Sequence, residues 1–154
     1  MYSSKLQLKS SSEQETFEFG RRLGSIAYGG LAILLYGGLG MGKTRLTQGI
    51  GNALGANKIK SPTFILVNEY DTLPPLIHAD LYRLETEREA DSLALEDYLD
   101  DGCLLVVEWS EHWKNIPVRD VLKITFEQTD ENGRLLTFEA LGDRVEELLR
   151  KLAE

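Results

Sequence analysis

Two unbroken apolar runs organise the pattern along this chain: Leu31-Ala32-Ile33-Leu34-Leu35-Tyr36 and Leu104-Leu105-Val106-Val107, the second ending on Glu108. Runs of that length predict strands buried on both faces, as in a parallel sheet covered by helices. Between them the period changes. Residues 44–54 read as a helix closed by Gly55. Before residue 31, residues 5–8 predict a short strand, and Ser12-Glu13-Gln14-Glu15 has capping-box spacing. A helix follows it with Phe17, Gly20, Leu23, Gly24 and Ala27 on one face, ending at Gly29-Gly30. Residues 63–70 and 76–80 predict two more strands across a turn at Leu73-Pro74-Pro75, and residues 86–99 predict one or two short helices. Residues 121–127 and 135–141 flank Asp130-Glu131-Asn132-Gly133 as an antiparallel hairpin, and Asp143 is expected to cap a last helix through Leu152.

Strands alternating with helices give an α/β fold, with a mainly parallel central sheet, an antiparallel edge hairpin and flanking helices. At 154 residues, without repeats or long linkers, the chain is expected to form a single domain over residues 1–154.

Composition narrows the chemistry. Hydrophobic residues make up 42% and charged residues 27%, and no apolar run approaches the roughly 20 residues of a membrane span. The start, Met1-Tyr2-Ser3-Ser4-Lys5, lacks the apolar core of a secretory signal, so a cytoplasmic protein with no membrane partner is expected. A net charge of -8 disfavours independent gripping of nucleic acid. Two histidines and the single Cys103 offer no zinc-ligand cluster; Cys103, inside an apolar run, reads as a packed thiol and His78 as a structural strand residue.

The chemistry-bearing stretch is Gly37-Gly38-Leu39-Gly40-Met41-Gly42-Lys43-Thr44, between a buried strand and a helix. Gly37, four residues and Gly42-Lys43-Thr44 fit the P-loop pattern. Glycines let successive backbone amides point inward around phosphates, and the helix N-terminus adds positive potential. Lys43 would reach the outer phosphates, and the Thr44 hydroxyl would face Mg²⁺. Hydrolysis also requires carboxylates. Glu108 has the better shape for the metal-side acid, and Asp80, after Ile77-His78-Ala79, is the second; both would emerge at the edge that carries the loop.

Four segments, "GGLGMGKT", "SPTF" followed by "VNEY", "HADLYRL" and "VVEWSE", occur in the order and spacing of the bacterial TsaE (YjeE) family, which the chain resembles over nearly its whole length. The resemblance implies a single-domain P-loop ATPase fold. It implies ATP and Mg²⁺ as cofactors and work with TsaB and TsaD in the cytoplasm, with tRNA met only through that complex. The ATPase cycle would support formation of N6-threonylcarbamoyladenosine at position 37 of tRNAs reading codons that begin with A, the modifying step itself belonging to TsaD. Carried onto this chain, Lys43, Asp80 and Glu108 are the catalytic candidates, and Thr44 and Glu108 the metal candidates. Gly37, Gly38, Leu39, Gly40, Met41, Gly42, Lys43 and Thr44 form the nucleotide loop, with Ser61 and Thr63 of the switch-like Ser61-Pro62-Thr63-Phe64 sensing the γ-phosphate. Trp109 would then lie near the nucleotide. Either acid could touch the metal directly.

This chain departs from the family loop in two places: Gly38 stands where an acid is common, and Met41 where alanine is. Neither removes a phosphate-binding group. Ser10 to Ser12 and Arg134 are candidates for the base, set against plainer readings as a helix cap and a hairpin side chain. The alternatives are a small P-loop kinase acting on a metabolite, a GTPase, and a nucleotide-responsive docking module. A kinase of this size needs several arginines around the transferred group, and the region between the second and third motifs offers mainly Arg83 and Arg88 amid acids. Asn57-Lys58-Ile59-Lys60 lacks the acid that reads guanine, and the docking reading is compatible with an ATPase.

Overall fold

The computed structural model describes residues 2–60, 66–117 and 119–154. Among the described residues, β1 (Ser4–Ser10), β2 (Ala32–Tyr36), β3 (Val67–Tyr70), β4 (Leu76–Asp80), β5 (Leu104–Glu108), β6 (Val121–Gln128) and β7 (Arg134–Leu141) form one sheet. Its order is β1-β7-β6-β2-β5-β4-β3. The four central strands β6, β2, β5 and β4 run parallel. The edges do not. β7 pairs antiparallel with β6, β1 antiparallel with β7, and β3 antiparallel with β4. The expected hairpin is thus extended outward by the N-terminal strand, and the opposite edge carries an antiparallel strand as well.

The loop-bearing strand lies inside the sheet because its sequence is apolar on both faces. In β2, Ile33 and Leu35 pack with Leu46, Ile50 and Val106 on one face, and Ala32 and Leu34 with Ile77, Leu105 and Val107 on the other. The chain after it enters α2 (Lys43–Leu54), whose C-terminus is closed by Gly55 at φ 96°. The expectation of a Gly55 stop is met. Preceding them is α1 (Glu13–Ile26), capped by Ser12 Oγ accepting from Glu15 N at 3.1 Å, while the Glu15 carboxylate reaches back to Ser11 N at 3.2 Å. That capping box is shifted one residue on its return arm, and the helix ends at Ile26, short of Gly29-Gly30.

Small residues let α1 lie against α2. A Cβ on Gly20 would run into the Leu46 carbonyl, and one on Gly49 into the Phe17 carbonyl, so the two backbones meet where glycines face each other. Two short helices, α3 (Glu87–Ser92) and α4 (Leu95–Asp100), cover residues 86–99 as expected. The last helix, α5 (Asp143–Leu152), differs in its start: Gly142 occupies the cap position, and Asp143 is the first helical residue, favourable there through the helix dipole rather than as a cap. Cys103 is buried as expected. None of the described helices is long and apolar enough to cross a membrane.

Candidate functional site

The loop from Gly37 to Gly42 turns on glycines. Gly37, Gly40 and Gly42 have φ of 141°, 73° and 100°, a region that side chains rarely adopt. Gly42, in the left-handed region, caps α2 without a side-chain bond, so the helix N-terminus with its positive potential opens directly from the loop. An added Cβ at Gly38 or Gly40 would meet open space, so the missing acid at position 38 reflects no crowding. Leu39, at the tip, is 66% exposed.

Lys43 is only 4% exposed. Its Nζ donates to the Gly37 carbonyl at 2.5 Å and stands 3.5 Å from the centre of the Trp109 ring. Burial pushes the ammonium below its usual pKa, and the carboxylates of Glu111, Glu108 and Asp80 oppose that shift. The side chain is therefore held along the loop. Trp109 reaches it from a left-handed backbone (φ 59°) that starts a short 3₁₀ turn over Ser110–His112, and Tyr82 packs on the indole at 4.9 Å. A non-glycine residue at positive φ directly after the acid-bearing strand is the kind of strain found at functional sites.

Sheet register brings the acids to the loop. β4 and β5 pair Asp80 with Glu108, and alternation puts His78, Asp80 and Glu108 on the face that α2 covers. Thr44 Oγ1 lies 3.1 Å from both carboxylate oxygens of Glu108. Glu108 Oε2 is also 2.6 Å from His78 Nε2, with His78 fully buried. Asp80 Oδ1 accepts from the Tyr82 amide at 3.0 Å. Burial raises the Asp80 pKa above the ordinary carboxylate value, the Tyr82 amide pulls it down, and the Glu108 charge adds to the rise.

A cleft of about 910 Å³ opens over these groups. Its floor includes Lys43, Thr44, Asp80 and Glu108. Its far walls are the start of α1, with Ser11 and Ser12, and the β6-β7 hairpin, with Asn132 and Arg134. Of the sequence-predicted loop residues, Leu39, Gly40, Met41, Gly42, Lys43 and Thr44 line the cleft, whereas Gly37 and Gly38, at the loop base, do not. Ser61 and Thr63 lie outside the described residues. The plainer readings of the base candidates hold in part. Ser12 caps α1, but Arg134, from the hairpin, also donates to the Gly40 carbonyl at 3.2 Å and so touches the loop tip.

Three contacts were not legible as local patterns: His78 on Glu108, Arg134 on Gly40, and the Glu111 carboxylate on the Gly37 amide at 3.2 Å. The only sequence signal for them is that His78 and Glu111 fall inside two of the four recognised segments.

Comparison with known proteins decides the family. The family model described as threonylcarbamoyl adenosine biosynthesis protein TsaE matches residues 10–136. The chain belongs to the TsaE family. Among TsaE relatives, a protein of Bacillus subtilis named tRNA threonylcarbamoyladenosine biosynthesis protein TsaE is 33% identical over 150 residues, covering 96% of this chain and 94% of the relative. One of Streptomyces coelicolor with the same name is 37% identical, covering 82% and 91%. A crystal structure of YdiB from Bacillus subtilis superposes with a TM-score of 0.82 at 29% identity, covering 99% of this chain and 96% of that one. The mixed sheet with parallel centre is therefore shared with a solved structure.

Proposed function

We propose that this chain is a Mg²⁺-dependent ATPase that supports TsaB and TsaD in forming threonylcarbamoyladenosine on tRNA. The observation that carries the reading is the constellation at the loop: Lys43 on the Gly37 carbonyl, and Thr44 Oγ1 3.1 Å from both oxygens of Glu108. The amides of residues 38–44 and the Lys43 ammonium bind phosphate oxygens, and Trp109 keeps the lysine aligned through its ring face.

The donor set fits magnesium. A hydroxyl and carboxylates are hard oxygen ligands, and such sites use one or two carboxylates together with substrate phosphates. Thr44 and Glu108 are the residues that would hold the ion, with Asp80 facing them across the paired strands. Magnesium bound there supplies charge neutralisation for the phosphates. In the cleft, Ser11, Ser12 and Arg134 stand where the nucleoside end would extend away from the loop.

The kinase reading gains nothing from the fold. Arg83 and Arg88, the arginines that reading would use, are exposed and do not line the cleft; the arginines that do are Arg45, packed on Phe17, and Arg134, bonded to the Gly40 carbonyl of the loop. Relatives named for tRNA threonylcarbamoyladenosine biosynthesis support the proposed pathway role.

The test combines this protein and ATP with TsaB, TsaD, tRNA and threonylcarbamoyl-adenylate, and counts modified tRNA over several turnovers. Multiple turnovers that depend on ATP and are lost in EDTA are expected. Lys43→Ala should lower phosphate release by about 100-fold or more, the scale for removing a positioned charge donor. Undiminished release would remove Lys43 from the mechanism. A phosphorylated small molecule in place of free phosphate would select the kinase.

A further inference from the structure

The segment Glu108-Trp109-Ser110-Glu111 presents two acids to the loop, and the proposed chemistry uses only the first. Glu111 lies in the 3₁₀ turn that the left-handed Trp109 begins, which swings its side chain under the loop. Its Oε2 accepts from Gly37 N at 3.2 Å, while Oε1 is buried with no hydrogen-bond partner. Glu111 does not line the cleft, so it meets the loop from the side away from the cleft.

Gly37 is the hinge between strand and loop. Its φ of 141° favours glycine, and a Cβ there would come within 3.0 Å of the Phe126 carbonyl. Its carbonyl holds Lys43 Nζ at 2.5 Å. The amide side of this soft residue is tied to Glu111 and the carbonyl side to Lys43, so releasing the amide frees the torsions that aim the carbonyl. A carboxylate is well matched to that amide, because it only accepts, bonds an N–H more strongly than a neutral oxygen does, and counterbalances the buried ammonium nearby.

We propose that Glu111 is a positioning residue for phosphate binding, clamping the Gly37 amide so that the Gly37 carbonyl presents Lys43 to the ligand. This rests on the phosphate-loop reading above. The role differs from that of Glu108, which faces Thr44 within the cleft, because it needs no metal and should appear in a metal-free measurement.

The experiment is calorimetric titration of wild type, Glu111→Ala, Glu111→Gln and Lys43→Ala with ADP in EDTA, and with adenosine as a ligand without phosphates. Glu111→Ala should weaken ADP about tenfold, in keeping with a lost hydrogen bond to a charged group. Glu111→Gln, whose side-chain oxygen can still accept from Gly37, should return to within about threefold of wild type, and adenosine should bind wild type and both Glu111 variants alike. Glu111→Leu, which keeps bulk without an acceptor, serves if the alanine variant does not fold. ADP affinity unchanged in the alanine or leucine variant overturns the proposal. So does a glutamine variant no better than alanine, or an equal loss for ADP and adenosine. Wild type and Lys43→Ala binding ADP equally would instead remove the phosphate reading, and Glu111's role with it.

Discussion

His78 changes meaning once the fold is known. As a sequence position it is an inward residue of a strand; in the fold its Nε2 meets Glu108 Oε2 at 2.6 Å, and its Nδ1 is buried without a partner. Against the Glu108 carboxylate, which accepts, Nε2 is the donor, while Nδ1 has no partner. That bond restrains the acid that also faces Thr44. His78→Leu is expected to raise the Mg²⁺ concentration needed for half-maximal ATP turnover about tenfold while leaving ADP affinity in EDTA within about twofold. His78→Gln, which keeps a donor, should recover most of the loss. A magnesium titration of the three proteins checks this, and coincident curves would assign His78 to packing alone.

At the scale of elements, the site depends on how α2 is seated. Its first turn carries Lys43 and Thr44, and its middle crosses α1 where Gly20 and Gly49 face opposite backbones. Periodicity placed Gly20 and Gly24 on the inner face of α1, but closeness of the backbones is a property of the pair. Gly20→Ala adds one methyl where the Leu46 carbonyl stands, and should lower unfolding free energy by about 1–3 kcal/mol, the range for overpacking. Helix propensity pulls the other way by about 1 kcal/mol, so a stabilised variant in urea denaturation would refute the close crossing. The same limit applies to the edges of the sheet. The β6-β7 hairpin was visible from its turn residues, whereas the pairing of β1 outside β7 joins residues far apart in the chain and left no local mark.

Over the whole molecule, the site concentrates acids in a chain already at -8, and that placement bears on stability. Burial first, then the neighbouring Glu108, raises the Asp80 pKa against the pull of the Tyr82 amide. A carboxyl with a raised folded-state pKa is protonated more readily in the folded than in the unfolded chain. Its contribution is therefore most favourable below the ordinary carboxylate range and is lost as pH rises through the raised value. Asp80→Asn should gain stability over wild type as pH climbs from about 4 toward neutrality, measured by urea unfolding of the ligand-free protein in EDTA. A constant difference across that range would contradict the raised value. By itself the sequence determined the strand-loop-helix unit, the capped first helix and the identity of the candidate groups, because each follows from residues within a few positions of one another. Tertiary structure alone decided that Glu108 meets Thr44 across 64 positions and Glu111 meets Gly37 across 74. Those meetings depend on strand register and on the left-handed turn at Trp109, which are set by packing of the whole sheet rather than by any local pattern.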